Sequence, residues 1–378
     1  MIAGTTIYDV LIAVPFLCYA IYIVWQVSAW LRLPAQNGKT TEHTTKISLI
    51  IPARNEAHNI SNCINSALQQ NYTRSLLEII VVDDHSEDGT RAIAEKALAA
   101  SEHTWKVINL PEAIENKKNA IDAGIKDSTG ELIVITDADC TAEKNWIRSI
   151  AAAYEEKHYK MICGPVVLDN GSGFLAGYQG LEMAGLTVLA GAGIGSNIPL
   201  LCNGANIAYP RKVYEEVNGF KGIDTLPTGD DTLLLFKINK AYPGQIGYLK
   251  TRDAIVKSGP QPGWNNFLHQ RIRWASKGFS SGSIINSLIS MLVFITNMLL
   301  LIYTIWSLVY FSFSPAFLTC LIAKFTVDFL LLTCGCIFIG RRKFLVYFLA
   351  GEFVTMAYVV WVGLAANILH YKWKGRTY

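Results

Sequence analysis

Four long stretches of this chain carry almost no charge, and no other feature constrains its folding more. Residues 10–31 and 284–311 contain no Asp, Glu, Lys or Arg; residues 315–339 contain only Lys324 and Asp328, and residues 344–369 only Glu352. A backbone that leaves water must satisfy its own N–H and C=O groups, so an uncharged run of this kind is predicted to be a helix. Each run exceeds the roughly 20 residues that a helix needs to cross a hydrocarbon core about 30 Å thick. The chain is 51% hydrophobic and 17% charged, against about 25% charged in an ordinary soluble domain. Because the deficit is confined to the four runs, the middle of the chain has the charge of a water-exposed domain. A purely soluble enzyme, a disordered chain, a coiled coil and a secreted disulfide scaffold are excluded.

The expected layout is a transmembrane anchor over residues 1–31, a soluble domain over 32–283 and a region of about three membrane helices over 284–378. The first run is preceded by no basic residue and is longer than a secretory core, so it reads as an uncleaved anchor. No Lys or Arg precedes it, whereas Arg32, Lys39 and Lys46 follow it. Positive-inside bias then predicts an integral, multi-pass protein of the cell membrane with its soluble domain in the cytosol. Lys277 and the cluster Arg341, Arg342, Lys343 agree; Lys372, Lys374 and Arg376 do not, which leaves open whether all three carboxy-terminal runs cross fully. Cys63, Cys140, Cys163 and Cys202 in the middle have no zinc-ligand spacing and are expected to be reduced, buried thiols. A net charge of +3, with no basic stripe, speaks against a nucleic-acid partner.

Between the first two runs, short apolar segments alternate with helical ones. Strands are predicted over 47–52, 77–83, 105–110, 131–137 and 161–167, and helices over 58–70, 88–100, 116–126 and 143–158. Continuous apolar strands separated by helices mean a mostly parallel α/β sheet covered on both faces, and such sheets bind ligands outside the carboxyl ends of their strands. Those ends are polar here. The first runs into Pro52, Ala53, Arg54, Asn55, Glu56, the second into Asp83, Asp84, His85, Ser86, and the fourth into Asp137, Ala138, Asp139. Carboxylates gathered at one edge repel unless a cation or donor is shared among them. With the strand period of two, Asp137 and Asp139 are expected to point the same way, towards one Mg2+ or Mn2+ that completes its shell with phosphate oxygens. Lys117 and Lys118 open a helix, where cations oppose the macrodipole, so one of them is expected to have an anionic partner. Asp83, Asp84 and Asp88 can also be read simply as turn and cap residues.

The order Ile-Ile-Pro-Ala-Arg-Asn-Glu, Val-Val-Asp-Asp-His-Ser-Glu-Asp-Gly-Thr, Lys117, Thr-Asp-Ala-Asp resembles the family-two inverting glycosyltransferases with the GT-A fold. Thr228, Gly229, Asp230, Asp231 and Gln270, Arg271, Ile272, Arg273, Trp274 resemble two further motifs of that family. The likeness runs over about 46–278, and the flanking apolar runs are similar to its integral-membrane branch of cellulose, hyaluronan and poly-N-acetylglucosamine synthases. The resemblance implies a Rossmann-like GT-A domain and a nucleotide-diphosphate sugar held by Pro52, Asn55, Glu56, Asp83, Asp84, Lys117 and Asp137. It also implies a metal on Asp139 with Asp137, a catalytic base at Asp231 beside Asp230, and acceptor or diphosphate positioning by Asn203, Gln270, Arg273 and Trp274. Two departures are visible: Asp230 stands where Glu is usual, and His85 where Gly is frequent.

The chemistry has its own requirements. When an acceptor hydroxyl displaces a nucleoside diphosphate from the anomeric carbon, the departing charge must be neutralised and the hydroxyl must lose its proton to a base. On a helix Gln270, Arg273 and Trp274 share a face while Arg271 points elsewhere, offering an amide, a guanidinium and an indole face. Residues 173–200 are apolar and Gly-rich around Glu182; a membrane span there would separate the acidic motifs, so an amphipathic or irregular segment is expected. Lys324 and Asp328 are spaced to pair with each other inside a bundle. The expected activity is transfer of a sugar to a lipid-linked or polysaccharide acceptor at the cytosolic face of the membrane, with membrane lipid as a further partner. The competing reading is a catalytically silent, nucleotide-sugar-binding scaffold or transporter subunit.

Overall fold

A computed structural model describes residues 7–36, 43–169, 171–224, 229–276, 283–366, 372, 373, 376 and 377. Thr228, Lys39, Lys277 and Lys374, used in the sequence reading, lie outside the described residues. Helix α1 (Ile7–Arg32) is followed by β1 (Ile47–Ala53), α2 (Ile60–Leu68), β2 (Leu77–Asp83), α3 (Thr90–Ala99), β3 (Thr104–Asn109), α4 (Lys117–Asp127) and β4 (Leu132–Ile135). Next come β5 (Thr141–Ala142), α5 (Trp146–Lys157), β6 (Met161–Cys163), β7 (Val166–Leu168), α6 (Gly173–Gly195), β8 (Ile207–Pro210), α7 (Arg211–Glu216), α8 (Thr232–Ala241), β9 (Ile246–Tyr248) and β10 (Val256–Ser258). The chain continues through α9 (Gly263–Ala275), α10 (Ile284–Tyr310), α11 (Pro315–Phe338) and α12 (Phe348–Ala365).

The residues pack as two compact units, one of Leu33–Gly171 with Leu189–Pro260, the other of Met1–Arg32, Ser172–Val188 and Gln261–Tyr378. The sequence-based divisions at 31/32 and 283/284 differ from these units, because α9 and the first part of α6 pack with the terminal helices.

In the first unit a seven-stranded sheet has the order β3-β2-β1-β4-β8-β6-β9. Strands β3, β2, β1 and β4 run parallel, and β8 is antiparallel to both neighbours. Every residue of β1 and β2 is buried, which is why these strands read as unbroken apolar runs. Helix α2 covers the sheet with Ile60, Cys63, Ile64 and Ala67, an i, i+3, i+4, i+7 stripe. Burying each of the two isoleucines contributes about 1.5–3 kcal/mol. Because the chain leaves β1 for β2 and β3 and returns to β4 on the opposite side, the direction of winding reverses between β1 and β4. A crevice opens at such a point outside the carboxyl ends of the strands.

Two expectations about this unit are corrected. The run 161–167 is two strands in different sheets, since β6 joins the large sheet and β7 a small one with β10 and β5. The break falls at Gly164 and Pro165. Asn206 wedges there, donating from Nδ2 to the carbonyls of Pro165 and Ala254 at 2.8 Å and accepting from Trp146 Nε1 at 2.9 Å. Second, residues 173–200 are neither irregular nor amphipathic at their start: α6 is one continuous, largely buried helix.

The other unit holds α1, α10, α11 and α12. Within it, Ala13–Arg32, Ile284–Tyr310, Pro315–Phe338 and Arg342–Ala365 are long and apolar enough to cross a membrane. Phe16, Leu300, Phe317, Cys320 and Met356 form one of its apolar clusters. Helices α6 and α11 meet at Gly335, where a side-chain carbon would come 2.2 Å from the Ala184 carbonyl oxygen. Lys324 and Asp328 pair at 2.8 Å as expected, and two further helices join them. Tyr19 of α1 donates to Asp328 at 2.7 Å, and Glu352 of α12 accepts from Lys324. All four groups are buried, Lys324 to 1% exposure.

Two stability predictions follow from these contacts. Gly164→Ala would press a Cβ to within 2.4–2.6 Å of the Asn206 side chain and should cost about 1–3 kcal/mol in denaturant unfolding, as overpacking does. Lys324→Met would strand two buried carboxylates and should cost about 3–5 kcal/mol, seen as a lowered thermal midpoint that Lys324→Met with Glu352→Gln partly restores.

Candidate active site

The polar strand ends converge at the winding reversal, and a lysine holds them together. Lys117, first residue of α4, places Nζ 2.6 Å from Asp137 Oδ1 beyond β4 and 3.0 Å from Asp230 Oδ2 before α8. Burial alone would lower the lysine pKa, but Asp137, Asp230 and Asp231 outweigh it and hold the ammonium well above its ordinary value. The cation expected to find an anionic partner is therefore Lys117. Its neighbour Lys118 is not a solvated lysine: it is buried and donates to the Ile223 carbonyl at 2.5 Å.

Asp137 and Asp139 do not lie in an extended strand. Strand β4 ends at Ile135, and Cys140 N–H bonds to the Asp137 carbonyl at 3.0 Å, closing a turn. The two carboxylates accordingly meet different partners: Asp137 faces Lys117, and Asp139 Oδ2 accepts from Ser258 of β10 at 3.4 Å. Behind the turn, Cys63 and Cys140 are buried, and burial together with Asp139 pushes both thiols up, as expected of inert thiols.

Asp231 is the N-cap of α8. Its Oδ1 accepts from Thr232 N–H at 2.6 Å and its Oδ2 from Gly204 N–H at 3.2 Å. The backbone of Gly204 lies close against the cluster: a Cβ there would sit 3.2 Å from both Lys117 Nζ and Asp230 Oδ2. Asn203 shapes the same turn, accepting from Ala205 N–H at 3.1 Å through Oδ1.

At the ends of β1 and β2, Asn55 has a left-handed backbone (φ 51°). It bonds across to the second strand end, accepting from Glu87 N–H and donating from its own N–H to Ser86 Oγ, both at 2.9 Å. Glu56 Oε2 accepts from Asn59 Nδ2 at 2.7 Å. Pro52 lies within β1, opposite Val82. Arg54 donates to the Asp84 carbonyl at 2.7 Å, and Asp84 Oδ2 accepts from Asn116 N–H at 3.3 Å. Asp83 Oδ2 caps the turn at Ser86 N–H (3.2 Å), while its Oδ1 is buried without a hydrogen-bond partner among the described residues. Asp88 accepts from Thr90 N–H and Ala57 N–H; desolvation would raise its pKa, but these bonds and the Thr90 hydroxyl hold the carboxyl below its usual value.

The Gln270–Trp274 motif lies in α9 of the other unit. Arg271 does not point away from it. Its guanidinium donates to Gln270 Oε1 and stacks 4.3 Å over the Trp274 ring, and it pairs with Glu182 of α6. Sequence reasoning missed the partners of Gly204, Ser258, Asn206 and Arg271. The first three act on partners 27, 119 and 60 positions away, with no local signal.

Asp137 and Asp139 suit a hard divalent cation. No group of three His, Cys, Asp or Glu side chains able to hold a metal occurs among the described residues. Mg2+ and Mn2+ fit that donor set, because such ions are commonly held by one or two carboxylates and finish their shell with substrate phosphates.

Residues 48–217 match the family model Glycosyl transferase family 2. That segment contains Lys117, Asp137, Asp139 and Asn203 and stops short of Asp230, Asp231 and α9. Glycosyltransferase AglE of Haloferax volcanii is 36% identical over 105 residues, 27% of this chain and 33% of that protein. Probable glycosyltransferase YdaM of Bacillus subtilis is 27% identical over 240 residues, 61% of this chain and 54% of that protein. The chain thus spans about a third and about a half of the length of these curated relatives. Among solved structures, the mannosyltransferase PcManGT from Pyrobaculum calidifontis, in complex with GDP-Man and Mn2+, superposes with a TM-score of 0.64 at 18% identity. The match covers 96% of this chain and 99% of that one, and at this identity it is a likeness of fold. The chain has a GT-A-like α/β fold, a mostly parallel sheet flanked by helices, with long apolar helices near both ends.

The bridging lysine can be tested without any substrate. Lys117→Met would leave Asp137 and Asp230 facing each other without a cation and should lower stability by about 1–3 kcal/mol, read by thermal unfolding. Adding Asp137→Asn should recover part of the loss.

Proposed function

We propose that this protein is a membrane-bound inverting glycosyltransferase that moves a sugar from a nucleotide-diphosphate sugar to a lipid-linked or polysaccharide acceptor. The observation that carries the reading is the cluster of Asp137, Asp139, Lys117, Asp230 and Asp231 at the carboxyl edge of the sheet, reaching out of the segment that matches Glycosyl transferase family 2. The four apolar helices support membrane residence, and the distribution of Lys and Arg supports a cytosolic catalytic domain.

In this reading the nucleoside lies over the ends of β1 and β2, against Pro52, Asn55, Glu56, Asp83 and Asp84, where the unpartnered Asp83 Oδ1 accepts a donor from the ligand. Asp139, with Asp137 on the other side of the turn exchanging part of its contact with Lys117, would hold Mg2+ or Mn2+, which would supply Lewis-acid neutralisation of the diphosphate. Lys117, paired with Asp137, adds positive charge beside it. Asp231 takes the proton of the attacking hydroxyl. Its two carboxylate oxygens each accept a backbone N–H, which fixes the carboxylate at the start of α8. Asp230 stays paired with Lys117 beside it. Asn203 belongs to the acceptor side through its turn with Gly204, and Gln270, Arg273 and Trp274 position acceptor or diphosphate. Attack opposite the leaving group inverts the anomeric centre.

Purified protein should release nucleoside diphosphate from a nucleotide sugar such as GDP-mannose only when Mg2+ or Mn2+ is present. Asp139→Ala and Asp231→Asn should each lower that rate by about 10²–10⁴-fold, the usual worth of a positioned base or its equivalent. Wild-type rates in either variant would refute the assignment. Nucleotide binding without turnover across a panel of sugars would favour the silent scaffold instead. Sizing the product separates a polymer from a single glycolipid, and its anomeric configuration by NMR tests inversion.

A further inference from the structure

The strongest feature left unused by this reading surrounds Arg271. It is 4% exposed, and its guanidinium is engaged by several groups of the helical unit. Nε donates to both oxygens of Glu182 at 3.2 and 3.1 Å, and Nη2 donates to Glu182 as well. Tyr358 of α12 donates to the same carboxylate. The guanidinium also lies over the rings of Phe267 at 4.4 Å and Trp274 at 4.3 Å. Nη1 donates to Gln270 Oε1. A guanidinium has donors only, so this last contact decides which way the Gln270 amide faces. Its oxygen is used on Arg271, and among the described residues its Nε2 meets no acceptor.

We propose that Arg271 is a positioning residue for the proposed transfer: clamped by Glu182 and Tyr358, it sets Gln270 as a hydrogen-bond donor and holds the plane of Trp274. The ligand that meets this helix face is then one that offers acceptor oxygens and a flat C–H face, as a sugar ring or its phosphate does. Half-buried Gln270 and Trp274 are the groups that touch it; Arg271 acts through them. The inference rests on the glycosyltransferase reading for its substrate, but the clamp itself can be examined without turnover.

A lysine keeps the charge and the Glu182 pairing but has neither the fork nor the planar stack. The full chain in detergent, labelled with 5-fluorotryptophan, gives a 19F signal for Trp274 assigned by Trp274→Phe. Arg271→Lys is expected to shift or broaden that signal and to lower kcat/KM for nucleoside diphosphate release from GDP-mannose at least tenfold, with the thermal midpoint little changed. Gln270→Glu keeps an acceptor for Arg271 and removes the outward donor, so it should leave the Trp274 signal in place while lowering kcat/KM comparably. If Arg271→Lys fails to purify, Glu182→Gln carries the same two readouts. A Trp274 signal and kcat/KM at wild-type values in these variants, or a change in thermal midpoint alone, would overturn the proposal. A displaced signal in a protein that turns over no nucleotide sugar would instead count against the glycosyltransferase reading and leave the clamp standing.

Discussion

The sheet unit depends on how three carboxylates are kept together at one edge. Asp137, Asp230 and Asp231 come from two distant stretches of chain, and like charges at such range disfavour one another's ionised form. Lys117 resolves the conflict at 2.6 and 3.0 Å, and backbone N–H groups of Gly204 and Thr232 take the remaining carboxylate. The positions of the α4 start, the turn after β4, the loop before β8 and the α8 cap are thereby tied to one ammonium. Parallel winding brings them near; the charges hold them in register.

The helical unit repeats this solution with different residues. Lys324 serves Asp328 and Glu352 on two helices, with Tyr19 from a third completing the set. Arg271 and Glu182 are held in turn by Tyr358. Buried ion pairs contribute little net stability over apolar packing, but they are costly to break and so discriminate against misplaced partners. Apolar helix faces slide past one another with little penalty, and these polar contacts select one arrangement.

Much of the sheet was legible because its signals are local. Unbroken apolar segments such as 47–53 and 77–83, and the stripe Ile60, Cys63, Ile64, Ala67, report burial directly through residue type and period. The strand-end motifs were legible for the same reason. What escaped was anything set by packing between distant segments: the split of 161–167, forced by Asn206 from 41 residues away; the turn that separates Asp137 from Asp139; and the helical continuity of 173–195. Arg271 was misread because helix periodicity says which residues share a face but not how a long side chain bends. Its partner Glu182 lies 89 positions away.

By itself the sequence determined the solvent each segment occupies, the alternation of strand and helix, and the residue types at the strand ends, since burial and backbone satisfaction act residue by residue. It also carried one charge pairing: Lys324 and Asp328, four positions apart in an apolar run, are spaced to meet. Tertiary structure alone decided that Lys117 bridges two motifs, that Asp231 caps a helix against Gly204, and that Glu182 holds Arg271. These are distances of 2.6–3.2 Å between groups far apart in the chain. Electrostatic and hydrogen-bond energies depend on separation and direction in space, which no spacing along the chain encodes.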